Sequence, residues 1–235
     1  MKYLYQRILI KLSGELFGGK GRNVDLGSYE KVAKELAAVV KEKVQVAVVV
    51  GGGNIMRGRS VKGTKEDELA GHRAGMVATV VNGIFLTRAF ERNGVHAKMV
   101  GSFPIPGMVE PHDPRAVKED LSDHEVIVYV GGTGLPFVST DSACVVRALE
   151  TGAQAFFKVM KDVDGVYSTD PKKSRRAVKY PSLTFEEAIG KRLGVMDLAA
   201  FELARKHRIP IHVFKWSTGR FLRVLRGEKI GSVVS

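Results

Sequence analysis

Cysteine is nearly absent from this chain. Cys144 is the one example in 235 residues, so no internal disulfide can form and a disulfide-built secreted scaffold is excluded. Tryptophan also occurs once and proline only 8 times, too few prolines for a collagen-like or proline-rich chain. The apolar run in the opening MKYLYQRILIKLSGE is broken by Lys11, which predicts neither a signal peptide nor a membrane span. Two nucleotide signatures are missing as well. No Gly-Lys-Ser/Thr occurs for a P-loop, and a G-x-G-x-x-G reading fails at Met56 after one glycine-rich turn and at Phe137 after another. These absences argue against a P-loop kinase, against a dinucleotide-dependent dehydrogenase and for a cytoplasmic protein.

What is present fits a soluble globular protein, with 44% hydrophobic and 26% charged residues. The net charge is +12, unevenly placed: residues 171–235 hold 15 of the 37 Lys and Arg but 5 of the 25 Asp and Glu. That segment therefore carries +10 and the rest +2, a skew suited to a polyphosphate ligand, to a nucleic-acid surface, or simply to solubility. Valine- and isoleucine-rich runs at 7–12, 44–50, 96–100, 126–130, 155–159 and 211–214 predict strands. Several are continuous rather than alternating, as in strands buried on both faces of a parallel sheet. Between them, Tyr29, Val32, Ala33, Leu36, Val39 and Val40 follow one helix face, and Thr184 with Glu187 forms a capping box. Further helices fit 70–93, 115–121, 141–151, 197–207 and 220–226. The alternation predicts an αβα sandwich around a mainly parallel open sheet, one domain over 1–235 with approximate lobes 1–150 and 151–235.

The glycines fall at strand ends. Ser13-Gly14 follows the first strand, Gly51-Gly52-Gly53-Asn54 the second, and Gly131-Gly132-Thr133-Gly134 the run at 126–130. In an open parallel sheet, ligands bind beyond the carboxyl ends of strands, where glycine lets the backbone approach phosphate. Charge accompanies these turns: Lys11, Arg57, Asp141 and Lys158. Phosphoryl transfer asks mainly for positioning and cancellation of charge, so lysines held by a carboxylate are sufficient equipment. Taken singly, each basic residue could be a solvated surface charge, and Asp141 could be a helix N-cap. The Asp164-Gly165 pair is by itself a hairpin signal.

Five motifs in order, K-L-S-G-E at 11–15, G-G-G-N-I-M-R-G at 51–58, G-T-G-L-P-F-V-S-T-D at 132–141, V-D-G-V-Y-S-T-D-P at 163–171 and V-M-D-L-A-A at 195–200, resemble the uridylate kinase branch of the amino acid kinase family. The resemblance implies a homohexamer, with ATP, Mg²⁺ and transfer of the γ-phosphoryl to UMP. The 1–150 lobe would bind the acceptor and the 151–235 lobe ATP. Lys11, Ser13 and Gly14 would line the transfer path on the ATP side; Gly52 and Gly53 would meet acceptor and donor phosphates, and Arg57 would clamp the acceptor phosphate and also contact ATP. Lys158 would neutralise the β/γ-phosphates, with Asp141 holding the lysines. Tyr167 and Asp170 would flank adenine and ribose, with the adenine contact left open among Met160, Lys161 and Asp162. Thr133, Gly134, Leu135, Phe137 and Thr140 would line the acceptor pocket with His72. Two positions depart from the pattern. His72 stands where the family places a ribose-binding aspartate, and Leu135 where an asparagine is usual, so another small anionic acceptor is a second reading, with Lys65 and Arg73 nearby in sequence. A non-catalytic nucleotide-binding or nucleic-acid-binding regulator is a third, disfavoured by the joint presence of Lys11, Asp141 and Lys158. Neither nucleic acid nor a membrane is an expected partner.

Overall fold

The computed structural model describes residues 3–19 and 21–235. In chain order the strands are β1 (Arg7–Leu12), β2 (Gln45–Val50), β3 (Ala97–Gly101), β4 (Glu110–Pro111), β5 (Val126–Val130), β6 (Ala155–Met160), β7 (Val166–Tyr167), β8 (Lys179–Tyr180), β9 (Ser182–Leu183), β10 (Ile211–Lys215) and β11 (Ser232–Val234). The helices are α1 (Leu26–Lys41), α2 (Lys65–Arg92), α3 (Pro114–Ser122), α4 (Thr140–Thr151), α5 (Phe185–Gly190), α6 (Leu198–His207) and α7 (Arg220–Leu225). Nine strands form one sheet in the order β4-β3-β5-β2-β1-β6-β10-β11-β9. All pairings described in it are parallel except β10 with β11.

Side-chain alternation along each strand builds two cores. Ile8, Ile10 and Leu12 of β1 join Val46, Val48 and Val50 of β2 against α1, α2 and α7. Leu9, Ala47, Val49, Tyr129 and Phe156 point the other way and pack with α3, α4, α5 and α6. Burial on both faces is why these strands read as unbroken apolar runs, and each fully buried Ile or Leu contributes about 1.5–3 kcal/mol. The same parity places the functional groups. Lys11 shares the face of Leu9 and Lys158 the face of Phe156, so both lysines point toward the α4 layer.

One local expectation differs from the structure, and one local turn signal is not realised. Helix α2 opens at Lys65 rather than Ala70, because Thr64 and Asp67 form a reciprocal capping box. His72 consequently lies two turns inside the helix. The Asp164-Gly165 pair makes no hairpin turn: β7 pairs with β8 across residues 168–178. The Asp164 carboxylate instead accepts from Lys215 N at 3.0 Å, Lys179 Nζ at 3.0 Å and Arg220 Nη1 at 2.5 Å, anchoring the strand junction.

Candidate active site

Strand order reverses at β1. The chain runs from β1 outward through β2, then returns to place β6 on the other side of β1. In open α/β sheets such a switch point opens a crevice at the carboxyl ends of the strands. The three glycine-rich turns follow the neighbouring strands β5, β2 and β1, with the end of β6 beside them, so the topology gathers the sequence signals onto one stretch of sheet edge.

Lys11 and Lys158 are direct partners in the β1–β6 register. Both reach one carboxylate: Lys11 Nζ donates to Asp141 Oδ1 at 2.9 Å and Lys158 Nζ to Asp141 Oδ2 at 2.6 Å. Lys158 is 3% exposed and Asp141 9%, so these are strong, weakly screened interactions. Burial pulls the Lys158 ammonium down, and repulsion from Lys11 adds to this; despite the attraction of Asp141 its pKa falls to about 8. For Lys11 burial is the largest single influence and pulls downward, but the attraction and hydrogen bond of Asp141, with smaller contributions beside them, leave it shifted upward. For Asp141, burial alone would raise the carboxyl, but the two ammonium groups win and hold it near 2. Two positive charges thus share one negative charge and leave one unit of positive charge directed at the crevice. Cys144 sits buried next to this group, where burial pushes its thiol up and keeps it protonated and unreactive.

Asp141 is not the cap of α4. That position belongs to Ser139, whose hydroxyl accepts from Asp141 N and Ser142 N, leaving the Asp141 side chain to the lysines. Asp197 of the V-M-D-L-A-A motif fixes this helix start. Its carboxylate takes the Ser139 hydroxyl and the Ser142 hydroxyl, and also caps α6 through Ala200 N at 2.8 Å. One aspartate therefore ties two helix N-termini together.

The first two turns pack backbone on backbone. A Cβ at Gly14 would stand 2.6 Å from Gly53 N and 2.8 Å from Gly51 O, so no side chain fits there. Behind them Asn82 of α2 donates to Gly51 O at 2.6 Å and to Asn54 Oδ1 at 2.8 Å, and accepts from Tyr29 OH at 2.6 Å. This brace was missed in the sequence; its signal was an amide side chain inside the largely apolar run VATVVNGIF. Arg57 is half-exposed and forms an ion pair with Glu15 across the crevice, a partner not anticipated. Ser13 precedes a 3₁₀ turn over Gly14–Phe17 and makes no side-chain cap bond there.

In the third turn Gly131, Gly132 and Gly134 have φ of 76°, 58° and 78°, left-handed values that favour glycine. Thr133 Oγ1 accepts from Leu135 N at 3.2 Å. Leu135 and Phe137 are exposed, and Phe137 holds a left-handed φ of 66° without being glycine. The His72 ring lies 4.7 Å from the Phe137 ring, so α2 and the third turn meet at these two residues. Glu68 lies one helical turn from His72, at 3.8 Å. Lys65 and Arg73 are exposed, and Thr140 opens α4. On the β6 side, Lys161 Nζ donates to Glu15 O at 2.9 Å and Asp162 pairs with Lys172 at 2.5 Å. Tyr167 is half-buried on β7, while Asp170 is exposed and accepts from Lys172 N at 2.9 Å. A cleft of about 690 Å³ beside β3 and β4 shares no residue with these turns.

This geometry of opposed lysines, a shared aspartate and three converging turns defines a phosphotransferase class, and the profile of the amino acid kinase family matches residues 6–215. The chain belongs to that family. It is 41% identical over 232 residues to the uridylate kinase of Marinobacter nauticus, covering 98% of this chain and 96% of that one. It is 42% identical to the uridylate kinase of Alcanivorax borkumensis, covering 98% and 92%. Among solved structures, the UMP kinase of Bacillus anthracis superposes with a TM-score of 0.93 at 31% identity over 98% of this chain and 96% of that one.

Proposed function

We propose that this protein is an ATP-dependent uridylate kinase of the cytoplasm, transferring the γ-phosphoryl of ATP to UMP to give UDP and ADP. The observation that carries this reading is Asp141 bridging Lys11 and Lys158 at the switch point, in a chain similar over nearly its whole length to uridylate kinases. A UMP phosphate oxygen attacks the γ-phosphorus while the bond to the β-γ bridging oxygen breaks and ADP departs. That nucleophile is already anionic near neutral pH, since a phosphate monoester has its second pKa near about 6. No general base is required, and Asp141, with both oxygens engaged, acts by holding the lysines. Lys11 and Lys158 cancel charge that builds on the transferred group.

ATP enters as its Mg²⁺ complex. The ion would be held mainly through phosphate oxygens, where it would add to the cancellation of charge on the transferred group. Ser13, Gly14 and Gly53 line the donor path, with Tyr167 and Asp170 of the 151–235 lobe beside adenine and ribose. Gly52, Arg57, His72, Thr133, Gly134, Leu135, Phe137 and Thr140 form the acceptor wall in the 1–150 lobe. Arg57 would exchange Glu15 for the acceptor phosphate. The chains assemble as a homohexamer.

His72 favours a second reading, an acceptor more anionic than UMP. An aspartate accepts from two ribose hydroxyls, whereas a neutral imidazole offers one acceptor nitrogen. Incubation with γ-labelled ATP and UMP, CMP, dTMP, GMP or small carboxylates decides the acceptor, and UMP is expected to be labelled fastest. In that case His72→Asp lowers KM for UMP by about tenfold or more, the worth of one hydrogen bond to a charged group, and leaves KM for ATP unchanged. Failure of both proteins to phosphorylate UMP, with another acceptor labelled by wild type and impaired by His72→Asp, establishes the second reading instead.

A further inference from the structure

The third glycine turn has few constraints of its own. Three of its four residues lack Cβ and sit at positive φ, so the backbone there is permissive unless neighbours fix it. The structure supplies such neighbours from both sides. On one side, Thr79 Oγ1 accepts from Gly131 N at 2.7 Å. On the other, Ser102, just beyond β3, donates its hydroxyl to Gly132 O at 2.7 Å. Ser102 also packs against the turn, since a Cβ at Gly134 would stand 2.9 Å from Ser102 Cβ.

Behind Ser102 lies Arg147 of α4, 8% exposed. Its Nη2 donates to Ser102 Oγ at 3.1 Å and its Nη1 to Glu150 Oε2 at 2.7 Å, and the guanidinium lies over the Tyr129 ring, 5.2 Å from its centroid. Tyr129 belongs to β5, the strand that feeds the turn. An arginine here is expensive: apolar residues of similar volume fill such a site at least as well, and a buried charge survives only by making specific hydrogen bonds. Donation from a cation into Ser102 Oγ polarises that hydroxyl and strengthens its own donation to the Gly132 carbonyl.

We propose that Arg147 and Ser102 are positioning residues for the acceptor turn: the guanidinium orients the Ser102 hydroxyl, which fixes the Gly132 peptide and with it the wall that the acceptor meets. The proposal rests on the reading of this turn as the acceptor wall. It also gives α4 two duties, Asp141 at its first turn holding the transfer lysines and Arg147 further along holding the acceptor turn.

The test compares wild type, Ser102→Ala, Arg147→Gln and the double variant, by steady-state kinetics with UMP and ATP and by amide hydrogen exchange in nucleotide-free protein. Ser102→Ala should raise KM for UMP about 5–10-fold, as for loss of one hydrogen bond, while KM for ATP and kcat change less than about twofold. Exchange at residues 131–135 should quicken without any ligand. Because the arginine acts through the serine, the double variant should be no worse in KM for UMP than Ser102→Ala alone. Unchanged exchange in Ser102→Ala, equal rises in both KM values, or additive effects would overturn the proposal. Should Arg147→Gln fail to fold, Ser102→Ala still decides. A wild type that does not use UMP would refute the acceptor reading, and the ligand-free exchange would still judge the anchor.

Discussion

Lys158 sits between opposite demands. Burial and Lys11 push its proton off, Asp141 keeps it on, and the balance near pH 8 lies well below the lysine value expected in the unfolded chain. The sign follows by linkage. Between about pH 8 and pH 10.4 the unfolded chain holds a proton that the native protein has released, so this residue's cost to stability is full below that window and fades as pH rises through it. A bound polyphosphate reverses the balance by favouring the ammonium. ATP binding should therefore take up almost no proton near pH 7 and close to one near pH 9, which calorimetry in buffers of different ionisation enthalpy measures. Asp141→Asn removes the charge that gathers both lysines. It should move proton uptake to lower pH and lower kcat by about 10²-fold, the order seen when one preorganised electrostatic group is lost. The helix start should survive, because Ser139 supplies the cap; a variant that lost only stability and kept kcat would refute the role assigned to Asp141.

Helix α2 presents a different problem. It runs 28 residues, and its most apolar 18-residue window has a mean hydropathy of 1.2 with only 39% of that window buried, enough by length and composition to cross a membrane. Its inner side packs on the sheet through Val80, Leu86 and Phe90, and its ends are strongly charged, from Lys65-Glu66-Asp67-Glu68 to Glu91-Arg92. What is unusual is its outer side, where Val77 is 54% exposed and Ile84 38%. Seven residues apart, they share one helix face, where self-association would take two exposed apolar side chains out of water. The proposed self-assembly should use it: Val77→Lys should shift the protein to a smaller species in analytical ultracentrifugation while its unfolding midpoint changes little. Unchanged assembly would place the interface elsewhere. Central elements of this kind were legible in the sequence, since period and composition placed six strands closely and found the long helices, although the start of α2 was placed at Ala70 instead of Lys65. The short strands β4, β7, β8, β9 and β11 were not, because two or three residues carry no period and their pairing is set by tertiary contacts. The same contrast holds in the crevice. Lysine, aspartate and glycine at strand ends were readable as local signals, whereas the partners that Asn82, Asp197 and Arg147 hold lie on other elements, and no local spacing records them.

Charge organises the protein as a whole. The +10 segment, residues 171–235, folds into β8–β11 and α5–α7, with β10, β11 and β9 lying on the far side of β6 from β1. The positive field is therefore carried by the half proposed to receive ATP, and it acts over longer distances than Lys11 and Lys158, which are enclosed between strands and α4. The two kinds of charge should separate in salt. Exposed groups are screened over about 8 Å at 0.15 M ionic strength, buried ones much less. Raising salt from about 0.05 M to about 0.2 M should thus lower kcat/KM for ATP by weakening electrostatic steering, while kcat at saturating nucleotide stays nearly constant because the buried lysines keep their interaction with the transferred group. Non-specific attraction to duplex DNA should behave like the exposed charge alone. Its affinity comes from counterion release, so it should be weak at low salt and vanish by about 0.15 M. A kcat that fell in parallel with kcat/KM would mean that solvent-exposed charges, rather than Lys11 and Lys158, stabilise the moving phosphoryl group. Sequence-selective DNA binding that persisted at the higher salt would mean that the basic half serves a nucleic acid and not ATP.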